Sequence, residues 1–140
     1  MQILILNIIL LFVDTITIPS QNIGIYDGDT FYTDIFFISN MPVRIRGIDT
    51  PEKSHNSRCK EEHKLAVAAQ DHLHTLLHQQ HLTLTNLSLD KYKRLLATVT
   101  IHDRDIAIDM IASNHARLYH GGKRRSWCTQ LQDKMSGGDI

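Results

Sequence analysis

The chain has 140 residues with 15 Lys and Arg against 15 Asp and Glu, a length that suits one domain and excludes a two-domain enzyme or a long solenoid. With 42% hydrophobic and 21% charged residues the composition is globular, neither disordered nor collagen-like. A formal net charge of zero excludes the global positive field common among nucleic-acid binders, so any polyanion would have to be gripped locally.

That neutrality hides a polarity along the chain: residues 1–89 carry a net of −3 and residues 90–140 a net of +3. Residues 1–13 contain only Gln2 and Asn7 as polar side chains, and Asp14 ends the run. The run falls short of the roughly 20 apolar residues of a spanning helix, so no membrane anchor is expected. Its length suits the apolar part of a secretory signal, which would make the protein secreted or periplasmic, although no Lys or Arg precedes it and no A-x-A-like cleavage site lies near Pro19-Ser20. The competing reading is an extra strand in a cytoplasmic protein, because residues 13–18 alternate with period two. Residues 1–20 are therefore set apart from a domain over 21–128 and a flexible tail over 129–140.

Ile23, Ile25 and residues 31–38 are β-branched and aromatic stretches separated by Asp27-Gly28-Asp29, a hairpin signal. After Asn40-Met41-Pro42 the alternation Val43-Arg44-Ile45-Arg46-Gly47-Ile48 sends Arg44 and Arg46 to the face opposite the apolar side chains. The strand stops at Asp49-Thr50-Pro51, since Pro51 cannot donate to a ladder. Ser57 is the expected cap of a long amphipathic helix in which Leu65, Ala69, Leu73, Leu76 and Leu77 recur with helical spacing, ending near Gln79. Strands over 82–89 and 95–101 follow, joined by the polar Asp90-Lys91-Tyr92-Lys93, and then a short helix marked by Ile106, Met110 and Ile111 with its stop at Asn114. This succession predicts an α+β domain whose sheet curls around a small core, a five-stranded, partly open barrel with flanking helices.

Asp27, Asp29 and Asp49 fall at turns or strand ends, and Glu52 lies just beyond. Acids so close together are costly to bury unless a cation neutralises them, and oxygen ligands select a hard ion, calcium or magnesium rather than zinc. The alternative is that turn aspartates cap local backbone groups, which by itself would account for Asp-Gly-Asp. Arg44 and Arg94 would add two guanidinium forks, the partners a phosphodiester site needs where charge grows on the equatorial phosphate oxygens.

Three stretches taken together carry a resemblance: Asp27-Gly28-Asp29-Thr30, Arg44-Ile45-Arg46-Gly47-Ile48-Asp49-Thr50-Pro51-Glu52 and Asp90-Lys91-Tyr92-Lys93-Arg94. Over about residues 22–128 the sequence resembles the thermonucleases, the staphylococcal nuclease family. The resemblance implies an OB-fold barrel with packed helices, and a calcium-dependent endonuclease that acts as a monomer on single-stranded DNA or RNA. Asp29 and Asp49 would ligate the calcium, Thr50 would add its backbone carbonyl, and Asp27 would support the ion from behind. Glu52 would be the general base for a water attacking phosphorus, and Arg44 and Arg94 would clamp the phosphate oxygens. The ion would serve as Lewis acid and template. The P–O5′ bond would break, leaving 3′-phosphates, with Lys91 and Tyr92 against the nucleotide. Phosphate contacts carry no base code, so little sequence preference is expected. Lys93 departs from the glycine that family members commonly have, and Asn114-His115 from a small or apolar pair.

Some members of this superfamily are degenerate modules that bind RNA or protein and have lost the acids; here Asp29, Asp49, Glu52, Arg44 and Arg94 are all present. His74 and His78 share a helix face with His72 and His81 near, a spacing that either holds zinc or nickel or lies on a solvated surface, and Cys59 and His63 are also four apart. Cys59 and Cys128 form either one bridge or two free thiols. Trp127, beside Lys123-Arg124-Arg125, either stacks a base or pins the C-terminal segment onto the core.

Overall fold

Nine short strands and three helices make up the computed structural model, which describes residues 1–128. Strand β1 (Thr15–Pro19) pairs antiparallel with β6 (His81–Leu89), and β6 with β7 (Leu95–Ile101). Strand β7 runs parallel to β4 (Ile38–Ile45), β4 is antiparallel to β3 (Thr30–Ile35), and β3 to β2 (Gly24–Ile25). The two ends of this path, β1 and β2, are consecutive in the chain and joined by a single 3-10 turn at Ser20–Asn22. Counted as one bent strand, they bring the sheet round into the curled, five-stranded OB-like barrel that the strand pattern predicted. A short β8 (Arg104–Asp105) adds to β7, and β5 (Ile48–Asp49) pairs with β9 (Arg117–Leu118) in a separate two-stranded ribbon.

The barrel closes because its strands alternate. Leu95, Ala97, Val99 and Ile101 of β7 point inward, as do Leu82 and Leu84 of β6 and Met41, Val43 and Ile45 of β4. Helix α2 (Lys60–Leu77) lays Ala66, Ala69, Leu73 and Leu77 over one mouth, and α3 (Ile106–Ala112) buries Ile106, Ala107 and Met110 beside β7. Residues 1–13 form no strand. Helix α1 (Gln2–Leu10) buries Leu6 near β6 and leaves Leu4, Ile8, Leu11 and Phe12 exposed, while the period-two alternation becomes β1 with Ile16 and Ile18 inward. Among the described residues no helix is long and apolar enough to cross a membrane. The tail expected over 129–140 lies outside the described residues.

Two boundaries differ from the sequence reading. Strand β3 stops at Ile35, and Phe36, with φ of 52°, turns the chain into β4 with Phe37 also exposed, so these aromatics mark a hairpin tip rather than a strand. Helix α2 is capped by Cys59, whose Sγ accepts from the Glu62 amide at 3.4 Å; Ser57 instead donates to the Ser54 carbonyl, because a 3-10 turn at Ser54–Asn56 takes up its hydroxyl one turn earlier. Cys59 is also bonded to Cys128, so the two thiols form one bridge that fastens the segment after β9 to the start of α2 across 69 positions. A loop of that length contributes about 4 kcal/mol in the chain-entropy picture.

Candidate active site

A cleft of about 990 Å³ opens on the barrel where β3, β4 and the β6–β7 loop face the segment after β9. Asp27, Asp29, Arg44, Glu52, Lys91, Tyr92 and Arg94 all line it, together with Arg124. Asp49 and Thr50 lie behind its wall, each 1% exposed.

The Asp-Gly-Asp turn builds one side. The amides of Tyr26 and Asp27 donate to the Thr30 carbonyl, and the Asp29 amide donates to Asp27 Oδ1 at 3.1 Å. Gly28 is demanded by packing: a Cβ there would come within 2.8 Å of Ala69 Cβ and 3.0 Å of Thr50 Cγ2, so only glycine lets the turn press against α2. Asp29 accepts the Thr30 hydroxyl at 2.8 Å and the Thr50 hydroxyl at 3.0 Å. Burial, and after it the neighbouring Asp29, push the Asp27 carboxyl up to about 8, well above the usual carboxylate range.

The second wall is cationic. Arg44 projects from β4, donates to the Ile45 carbonyl at 3.1 Å and the Ile48 carbonyl at 3.0 Å, and brings Nη2 to 3.5 Å from Asp29 Oδ2. Gly47, with φ of +89°, makes the bend that carries Ile48 back within its reach. Arg46, on the same face, ties to the Asn86 carbonyl and the Ser88 hydroxyl and so joins β4 to β6. In the β6–β7 loop, Asp90 accepts the amides of Tyr92 and Arg94 at 2.8 and 3.0 Å and the Arg94 Nε at 2.7 Å. Lys93 has φ of 64° and takes the left-handed conformation that a glycine would occupy, so the loop keeps its turn and Arg94 faces the cleft. The Tyr92 ring is exposed, with the Arg94 guanidinium 5.3 Å from its centroid.

The surroundings of Asp49 differ most from expectation. Its Oδ2 accepts Arg117 Nε and Nη2 at 3.1 and 2.9 Å and the Trp127 indole N–H at 3.1 Å, and its Oδ1 accepts Arg124 Nε at 2.5 Å. Arg124 Nη1 reaches Glu52 Oε1 at 2.6 Å, and Nη2 reaches the Thr50 carbonyl at 3.2 Å. Arg117 is further braced by the Arg125 carbonyl and lies 4.2 Å from the Trp127 ring centroid. Trp127 is thus a buried pin for the C-terminal segment, and its indole does not face the cleft.

Asp29, Asp49 and the Thr50 carbonyl do not fit one shared calcium ion in this arrangement. The Asp49 oxygens and the Thr50 carbonyl are held by arginine and indole donors. Among the described residues the site acids form no group of three whose ligand atoms lie within 4.8 Å of one another; the one such group is Cys59, Glu62 and Cys128, where both sulfurs are already bonded to each other. At Asp49 the compensating charge is supplied in this arrangement by the guanidinium groups of Arg117 and Arg124. Arg117 and Arg124 were missed in the sequence, and their signal was the opposed −3 and +3 halves of the chain. His74 stacks on His78 at 5.5 Å, His72 lies tilted against His115 at 4.6 Å and His120 lines the cleft, but no histidine joins a three-ligand group among the described residues.

Residues 42–136 match the family described as staphylococcal nuclease homologue. A probable endonuclease of Schizosaccharomyces pombe is 34% identical over 86 residues, which make up 56% of this chain and 36% of that protein. The chain therefore spans well under half the length of that relative.

Proposed function

The chain belongs to the staphylococcal nuclease homologue family, and from that premise we propose that it is a nuclease hydrolysing the phosphodiester bonds of DNA or RNA. The observation that carries the reading is the meeting of Arg44, Arg94 and Glu52 in one cleft with Lys91 and Tyr92 at its edge. Two guanidinium forks there would hold the phosphate oxygens and favour the charge that builds on them as the attacking water adds. Glu52 would take the proton from that water. Bond formation between the water oxygen and phosphorus, with loss of O5′ as an alcohol after proton return, leaves a 3′-phosphate. The exposed Tyr92 ring offers a base a stacking surface, and nothing in this set reads a base edge, so cleavage with little sequence preference on single-stranded substrate fits.

Calcium is the ion that the family resemblance implies, and Arg124 holds the Asp49 and Thr50 oxygens that would receive it. The Cys59–Cys128 bridge favours an oxidising location, secreted or periplasmic. The grip of Arg124 on Glu52 favours one second reading, a catalytically silent module that binds nucleic acid. Digestion of single-stranded DNA and RNA with calcium, with magnesium and with chelator, followed by end-group analysis, separates the two. Products ending in 3′-phosphate support the nuclease, 3′-hydroxyl products overturn the P–O5′ assignment, and binding without cleavage under every condition leaves the module.

A further inference from the structure

Three oxygens from four consecutive positions, the Asp49 carboxylate, the Thr50 carbonyl and the Glu52 carboxylate, converge on a single cationic group. We propose that these oxygens form a cation cradle whose resident is the chain's own Arg124, and that Arg124 and a hard divalent cation exclude one another there. The inference rests on the nuclease reading only in concerning the same acids, and it can fail or hold without it.

The geometry is that of a filled site. Each of the three guanidinium nitrogens of Arg124 has a separate oxygen partner, at 2.5, 2.6 and 3.2 Å, so the guanidinium plane fills the space between the three oxygens. A surface arginine caught in a chance ion pair would engage one carboxylate through one or two nitrogens; here the fork spans two acids and a main-chain carbonyl. Charge agrees with shape. In the ion pairs at these oxygens Asp49 and Glu52 bring two negative charges and Arg117 and Arg124 two positive ones, so Arg124 offsets charge that a divalent ion would otherwise meet. With Arg124 withdrawn the same oxygens carry a net negative charge and are all of the hard type that calcium selects.

The means of withdrawal is in the chain. Arg124 is about a third exposed, unlike the 11% of Arg117, and it follows Gly121 and Gly122, both at positive φ and with open space around them. A swing about these two glycines would lift Arg124 into the cleft it already lines, while Trp127 and the Cys59–Cys128 bridge keep the rest of the segment in place.

Terbium luminescence reads the cradle directly. Trp127 is the chain's one tryptophan and touches Asp49, so excitation on the red edge, where the indole absorbs and tyrosine does not, sensitises an ion bound there. Titration of the full chain with terbium, and displacement by calcium, is expected to show weak binding in the parent, at least about tenfold tighter binding in Arg124→Gln, and an intermediate value in Arg124→Lys. Equal or weaker terbium affinity in a folded Arg124→Gln protein overturns the proposal. Should that variant fail to fold, the arginine Nε–H resonances of the parent decide: the Arg124 signal is expected to move as calcium fills the site, and an Arg124 signal unchanged at calcium concentrations that displace bound terbium refutes mutual exclusion. No nucleic acid enters either measurement, so the outcome is independent of whether the protein cleaves.

Discussion

Asp90 holds Arg94 to the cleft through a 2.7 Å contact to Nε, and the same carboxylate closes the turn by accepting the Tyr92 and Arg94 amides. Partial burial pushes the Asp90 carboxyl up, but hydrogen bonds from the Arg94 amide and guanidinium outweigh that and hold it below the usual carboxylate value. Asp90 is therefore a positioning residue. Asp90→Asn keeps an amide acceptor and removes the charge, so kcat/KM on single-stranded DNA should fall by about 10- to 100-fold while the melting temperature changes little. Unchanged cleavage would mean that Arg94 finds the phosphate without Asp90.

Glu52→Gln should cut turnover by about 10² to 10⁴ if this carboxylate is the base, with the fold preserved, as single-turnover rates and circular dichroism would show. A variant cleaving at the parental rate removes Glu52 from the chemistry.

Lys93 pays a conformational penalty at φ of 64° that glycine would not. Part of the gain on substitution is offset by the extra freedom of glycine in the unfolded chain, so Lys93→Gly should stabilise by about 0.5–1 kcal/mol. Urea unfolding measures this, and a loss of stability would show that the lysine side chain makes a compensating contact.

Trp127→Ala removes a buried ring, its hydrogen bond to Asp49 and the surface under Arg117. The expected loss is about 3–5 kcal/mol of stability, with a far smaller effect on cleavage at saturating substrate below the melting point. A stable variant with lost substrate affinity would return the residue to base stacking.

Burial, and then the neighbouring His72, hold His115 below the ordinary histidine value of 6.5. A lowered pKa in the folded state means that the unfolded chain binds the proton more readily. The contribution is thus complete above about pH 6.5 and is lost as the pH falls through the lowered value. His115→Asn should flatten the decline in unfolding midpoint between about pH 7 and pH 5, and an identical slope in parent and variant would exclude this pair as its source.

The barrel was legible because its signals are local. Alternation along 95–101, the Asp27-Gly28-Asp29 turn and the helical recurrence of Ala69, Leu73 and Leu77 each report on neighbours within one element. The cleft was legible where side chains follow strand parity, as at Arg44, or a tight loop, as at Asp90 to Arg94. What escaped depends on distant docking. Nothing near Asp49 announces Arg117, Arg124 or Trp127, which arrive from 68 to 78 positions away, and periodicity says nothing of which acid a late arginine will meet. The Ser57 cap failed for a related reason, since the competing 3-10 turn has no hydrophobic period to reveal it.

The bridge from Cys59 to Cys128 gives the Arg124 segment two moorings, one through the backbone and one through sulfur. Residues 121–123 are exposed and end in a lysine, the kind of stretch a trypsin-like protease cuts. A molecule nicked there under oxidising conditions would not shed the piece bearing Arg124 and Trp127, which would stay attached to the head of α2 as a cut but retained peptide. Only when thiols are restored would the scission release it, so a single proteolytic event has two different outcomes according to the redox state of its surroundings.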